Sequence, residues 1–249
     1  MTTTDASLGL ALGGGGALGA AHVGVLRALE ERRLRPGVVV GTSAGSLVGA
    51  AYATDLPLRS IEKLVRKATW STFGRINVSP KLGLLDTAAL VDTIRGLVGE
   101  PLIEELSIRF AAVATDPIAR KEVAIDRGPL DVALRASIAV PGLFPPVWHE
   151  GRLLVDGGLA ANLPLAAAKA MGAERVIAVR LRPEWVRLPI VPSLDRITAL
   201  EQEPGVTVIR PDLAGMAQWS RSDVPRLIEA GYVAACQALD DQVVPAHVA

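Results

Sequence analysis

Three short stretches of this chain carry residue types that can do chemistry. Positions 41–45 read Gly-Thr-Ser-Ala-Gly, positions 152–158 read Arg-Leu-Leu-Val-Asp-Gly-Gly, and positions 13–16 are four consecutive glycines followed by Gly19. G-x-S-x-G between a strand and a helix sets a serine on a sharp turn with Oγ projecting from the carboxyl edge of a sheet. Gly41 and Gly45 supply the small neighbours that a strained turn needs. Ser43 would also sit at a helix N-terminus, where the dipole favours developing negative charge. Ser43 is therefore a candidate nucleophile, set against the bland alternative of an unreactive Gly/Ser turn.

A nucleophilic serine needs a base, and the sequence has three histidines. His22 falls inside an Ala-rich helical segment and reads as a satisfied core or helix-face residue. His149 lies in the turn signal "VWHEG" and His247 in the C-terminal tail, so none has the placement of a triad member. Asp156 is the better partner: a strand leads into it, and Gly157 and Gly158 permit a turn tight enough to aim its carboxylate at the sheet edge. A free Asp with pKa ~3.9 is a weak base, but burial raises a carboxylate's pKa. A Ser-Asp dyad is chemically reasonable, although D-G-G also suits a plain Asx-type turn.

The glycine run has two readings. Gly14, Gly16 and Gly19 satisfy G-x-G-x-x-G after a strand and before a helix, the fingerprint of a dinucleotide site. That fold also asks for an acidic residue at the end of the second strand, and here the strand "VVV" runs into Gly41 instead. Glu30 and Glu31 have the right numerical spacing but fall at the end of a helix. The alternative is an oxyanion hole. In a parallel sheet both strand-to-helix loops emerge at the same edge, so the amides of Gly14, Gly15 and Gly16 can face Ser43.

The elements that must position these residues alternate in the rhythm of a doubly wound α/β sheet. Strand 8–12, glycine loop, helix 16–34, strand 35–41 and helix 43–55 fill the first fifth of the chain. Helical segments at about 58–68 and 86–99 flank an irregular loop at 69–85. A hairpin follows at 108–126, then a helix at 129–142 stopped by Pro141 and Gly142, strand 152–158, helix 164–173 and strand 175–181. Residues 183–205, with four prolines, read as an irregular excursion before a closing strand at 206–210 and a helix near 223–240. The expectation is a single domain over 1–249.

The 249 residues are half apolar, enough to bury a substantial core, and 26 Lys+Arg balance 26 Asp+Glu. No basic stripe exists to neutralise a phosphate backbone, which argues against a nucleic-acid partner. Cys236 is the single cysteine, so no intrachain disulfide or thiolate zinc cluster can form, and a packing role in a reducing cytoplasm is expected. "MTTTDAS" lacks the features of a secretory signal, and no apolar run reaches the ~18 residues of a membrane span. The expectation is a soluble, cytoplasmic protein with at most peripheral membrane contact; its oligomeric state is open.

Several motifs in one order resemble the patatin-like phospholipase family, especially its compact bacterial members. They are "LALGGGGALGAAHVGVLRALEE", "GTSAGSLVGAAYA", "LGLLD", "VATD", "RASIAVPGLFPPV" and "LVDGGLAANLP", spread over about residues 7–181, with an echo in "IEAGYVAACQAL". The resemblance implies a three-layer α/β/α fold with a mainly parallel sheet. It also implies a serine esterase or lipid acyl hydrolase with Ser43 as nucleophile, Asp156 as base, Gly14, Gly15 and Gly16 as oxyanion donors, and no metal or organic cofactor. It places residues 136–146 beside the acyl site. The chain departs from the family's loop pattern at Leu18, where a cationic residue is usual. That leaves phospholipid, lysophospholipid and neutral ester as substrate classes.

Apolar residues around the dyad would set acyl specificity, with Leu18, Leu47 and the 69–85 and 139–147 segments as candidates. Trp70, Phe73 and Phe144 are placed either at an entrance or lipid surface or in ordinary core packing. Two alternatives stand beside hydrolysis: a non-catalytic dinucleotide- or phosphate-binding module, and an acyltransferase using the same serine.

Overall fold

The computed structural model describes residues 4–69, 72, 84–181, 194–217 and 222–241. Its strands are β1 (Asp5–Leu12), β2 (Pro36–Thr42), β3 (Arg109–Asp116), β4 (Lys121–Ile125), β5 (Val147–His149), β6 (Arg152–Asp156), β7 (Arg175–Val179) and β8 (Val206–Ile209). Its helices are α1 (Ala21–Glu31), α2 (Ala44–Ala53), α3 (Leu58–Lys67), α4 (Ala88–Val98), α5 (Leu130–Ser137), α6 (Leu165–Ala170), α7 (Leu194–Glu201) and α8 (Val224–Asp240). The described strands form one sheet in the order β5-β6-β3-β2-β1-β7-β8, with β4 paired to β3. The β3-β2-β1-β7-β8 portion is parallel, and β4, β5 and β6 join by antiparallel pairing.

Both faces of the sheet are covered, which is why β2 is buried along its whole length and reads as an unbroken apolar run. Leu10, Leu12, Val39 and Phe110 turn to one face, where they pack with α1, α2, α5 and α8. Ala11, Val38, Val40 and Val113 turn to the other, against α6. The result is the three-layer α/β/α arrangement. Helices α1 and α8 cross closely because each supplies a glycine: a Cβ on Gly24 would strike the Ile228 carbonyl, and one on Gly231 the Ala21 carbonyl.

The pairing of β3 places the site. Its residues Arg109–Val113 pair with β2, while Ala112–Asp116 pair with β4, so those two neighbours occupy opposite edges. Strand β6 pairs at Ala114 and Thr115, which β4 already flanks. Hence β6 lies on the β2 side, just beyond the carboxyl end of β2. Asp156 at the end of β6 is brought to the loop that follows β2.

Two expectations are corrected. The 183–205 stretch is not irregular throughout, because α7 occupies Leu194–Glu201. Its apolar spacing, Leu194, Ile197 and Leu200, was overshadowed by the prolines before it. "VWHEG" is not only a turn: Val147–His149 pair with Arg152–Leu154, and the reversal is made at Glu150 (φ 47°) and Gly151 (φ 75°). A strand of three residues after two prolines is too short to show an alternation.

Candidate active site

The turn between β2 and α2 is built by contacts that only glycine allows. A Cβ on Gly41 would strike the Gly45 carbonyl, and one on Gly45 the Leu12 carbonyl. Between them Ser43 adopts φ 52°, ψ −120°, a conformation costly for a residue with a side chain and characteristic of a strained nucleophile turn. The conformation is held from both sides. The Ser43 N–H donates to Ser137 Oγ at 2.9 Å, and that hydroxyl donates to the Val113 carbonyl at 2.6 Å. The Ser43 carbonyl accepts from Ser46 Oγ at 2.6 Å and from the Ser46 N–H at 2.9 Å.

Asp156 is held as firmly. Its N–H donates to the Ala139 carbonyl at 2.9 Å, its carbonyl accepts from Thr115 Oγ1 at 2.8 Å, and Oδ1 accepts from the Gly158 N–H at 2.7 Å. Gly157 has no room for a Cβ because the Val113 carbonyl lies against it. The residue is 7% exposed, and burial raises its carboxyl pKa to about 6, against the opposing pull of the Ser43 hydroxyl and the Gly158 N–H. Ser43 is thus near enough to act on the carboxyl. Yet Oδ2 is buried with no hydrogen-bond partner among the described residues, so one basic oxygen is left available.

The glycine loop corrects one expectation. The Gly14 N–H is not available as an oxyanion donor, because it donates to the Asn162 carbonyl at 3.0 Å. Gly14 instead provides clearance: a Cβ there would sit 2.6 Å from Asn162 Oδ1 and 3.3 Å from the Ser43 Cβ. The N–H groups of Gly15 and Gly16 have no acceptor among the described residues, nor do those of Ala44 and Gly45 at the start of α2. These amides, with the helix dipole behind the last two, are unpaired donors, and Gly15, Gly16 and Ala44 line one cavity wall with Ser43.

Ser43, Asp156 and Gly14–Gly16 share the wall of a cavity of about 690 Å³. The rest is largely apolar and comes from several helices, through Leu47, Ile61, Leu64, Leu90 and Ile94 among others, and from Phe144 in the loop after α5. No Lys, Arg or His lines it among the described residues. Leu47 and Phe144, two of the candidates for acyl contacts, line this cavity. Leu18 does not: it is 3% exposed and packed in the core, away from the cavity wall. Trp70, Phe73, most of the 69–85 loop and His247 lie outside the described residues.

A family model for patatin-like phospholipase matches residues 10–169. The chain belongs to the patatin-like phospholipase family. An NTE family protein of Mycobacterium tuberculosis is 42% identical over 175 residues, 69% of this chain and 48% of that protein. Lysophospholipase NTE1 of Mycosarcoma maydis is 37% identical over 178 residues, 70% of this chain and 10% of that protein. The chain thus spans less than half the length of these curated relatives. The crystal structure of VipD from Legionella pneumophila shares the fold, with a TM-score of 0.57 at 14% identity over 95% of this chain and 67% of that one.

Of the acidic residues weighed for a nucleotide ribose, Glu30 and Glu31 sit at the end of α1, where Glu31 accepts the Tyr232 hydroxyl at 2.8 Å. Sequence reasoning passed over Ser137, Asn162 and Thr115. All three lie in family motifs, but only the folded register shows them gripping the backbone of Ser43, Gly14 and Asp156. Among the described residues, no helix is long and apolar enough to cross a membrane.

Proposed function

We propose that this patatin-like chain hydrolyses carboxyl esters of lipids through a Ser43–Asp156 dyad and an acyl-enzyme. Asp156 Oδ2 takes the proton of Ser43 Oγ as Oγ bonds to the ester carbonyl carbon, and the carbonyl oxygen becomes an oxyanion held by the Gly15 and Gly16 amides. Collapse breaks the bond to the alcohol, which leaves with the proton from Asp156. Water then gives a proton to Asp156 and adds to the acyl carbon; Ser43 leaves and recovers that proton as the free acid forms. These steps use side chains and backbone alone.

The observation that carries this reading is the buried, unpartnered Oδ2 of Asp156 in the same apolar cavity as a serine at positive φ. A carboxyl pKa near 6 suits a base working close to neutral pH. The cavity lies within the range of pockets that enclose small ligands, and its walls fit an acyl chain better than a charged group. The named lysophospholipase relative makes a single-chain lipid ester a natural first substrate to assay.

The test is intact-protein mass after exposure to a fluorophosphonate ester, on wild type and Ser43→Ala, alongside ester turnover. A single adduct and turnover that both vanish in the variant establish the activated serine. No adduct and no turnover on wild type would overturn the reading.

A further inference from the structure

His22 is fully buried on α1, one turn after the glycine loop, and no step of the proposed chemistry uses it. Its Nε2 lies 2.8 Å from the Gly13 carbonyl oxygen. That oxygen can only accept, so Nε2 carries the proton and the ring is the neutral Nε2–H tautomer. Nδ1 is buried with no partner among the described residues. Burial holds the ring's pKa down at about 4, against the pull of that hydrogen bond, so it stays neutral through the working range. A side chain kept for packing alone would have no reason to leave a ring nitrogen unsatisfied.

The Gly13–Gly14 peptide is gripped on both sides: its carbonyl by His22, its N–H by the Asn162 carbonyl at 3.0 Å. The Gly13 N–H is fixed in turn to the Val179 carbonyl at 3.1 Å. Immediately beyond this clamp come the two unpaired amides, Gly15 and Gly16, in the cavity wall with Ser43. We propose that His22 is a positioning residue of the oxyanion loop: its Nε2–H locks the Gly13–Gly14 peptide plane so that the Gly15 and Gly16 amides are aimed before substrate arrives. This rests on the hydrolase reading. Donors fixed in advance act mainly on the transition state, so the lock contributes to kcat and not to ground-state binding.

The experiment compares wild type, His22→Leu, His22→Gln and His22→Asn. Gln can place an amide donor at the Nε2 position and Asn cannot. For an acyl ester one measures kcat and KM, the inhibition constant of a trifluoromethyl ketone with the same acyl chain, and the thermal midpoint. His22→Leu and His22→Asn are expected to lose about 10- to 100-fold in kcat, with KM within about twofold. Ketone affinity should fall in proportion to kcat, and His22→Gln should recover most of both. Unchanged kcat in a folded His22→Leu, or equal kcat for Gln and Asn if Leu does not fold, would overturn the proposal. If wild type labels at Ser43 and the variants retain kcat, this inference alone fails. If wild type neither labels nor turns over, the hydrolase reading fails and takes the inference with it.

Discussion

The backbone N–H of Ser43 ends on the hydroxyl of Ser137, 2.9 Å away, although the two residues are 94 positions apart in the chain. Two residues further on, the Ala139 carbonyl accepts the N–H of Asp156. The end of α5 and the residues just after it therefore fasten both members of the proposed dyad, and the strained turn at Ser43 depends on the Ser137 contact. Ser137→Ala leaves the Ser43 N–H and the Val113 carbonyl without their partner, at a cost of about 2–4 kcal/mol in stability. Ester turnover should fall at least about tenfold at temperatures where the variant is fully folded, because a displaced nucleophile loses rate steeply. Circular dichroism melts beside steady-state kinetics check both.

The proposed role of Asp156 fixes the expected pH profile. As the base its carboxyl must be ionised to accept the Ser43 proton, and burial places its pKa at about 6. On the acid side kcat/KM should rise with pH through about 6 and level off above 7. A limb centred near 4, where an exposed carboxyl titrates, would assign the base elsewhere.

The same raised pKa makes Asp156 a liability for stability. Between the ordinary value of 3.8 and about 6 the folded protein holds a proton that the unfolded chain has released, so this group's contribution falls as pH rises through that window. The full loss is on the order of 3 kcal/mol for a group this deeply buried. Asp156→Asn should therefore abolish turnover while melting higher than wild type at pH 8, with the advantage shrinking towards pH 4. Differential melts across that range test it, and an advantage independent of pH would contradict the linkage.

How much of this was legible in the sequence depends on how local each signal is. The strained serine turn is written in five adjacent residues, since Gly41 and Gly45 are needed for contacts within that turn and with the neighbouring β1. The placement of Asp156 beside it is not local. It follows from β3 sharing one edge between β2 and β6, a register that no nearby residues encode, and the ordered family motifs supplied it instead. Gly14 shows the converse. Its position in the glycine run suggested a donor, but whether an amide is free depends on a carbonyl 148 residues away, that of Asn162. Leu18, a candidate for acyl contact by its place in the same loop, is likewise directed into the core by the 3-10 turn at Gly16–Ala20.

Gly14→Ala separates space from hydrogen bonding in the loop. The substitution keeps the N–H bond to Asn162, yet its methyl would lie 2.6 Å from Asn162 Oδ1 and 3.3 Å from the Ser43 Cβ. Rotation of the Asn162 amide relieves the first contact, and the second asks the loop or Ser43 to give by a few tenths of an ångström. A loss of about tenfold in turnover is expected if Ser43 is the nucleophile, because small displacements of reacting groups cost rate. The check is the rate of fluorophosphonate labelling, which should drop with turnover.

The cavity makes a prediction about acyl length that is independent of the dyad. Ile94, from α4, lines the cavity and is 8% exposed, so the indole of Ile94→Trp would be directed into space that an acyl chain would occupy. Each methylene excluded from an apolar site costs about 1–3 kcal/mol of discrimination. Long-chain esters should lose about tenfold or more in kcat/KM while a butyryl ester is hydrolysed as before. Labelling of Ser43 by a small fluorophosphonate should also be unchanged, because Ser43 and Asp156 are untouched. A uniform loss across chain lengths would mean that the substitution disturbs the catalytic turn, and an unchanged preference would place the acyl chain elsewhere than in this cavity.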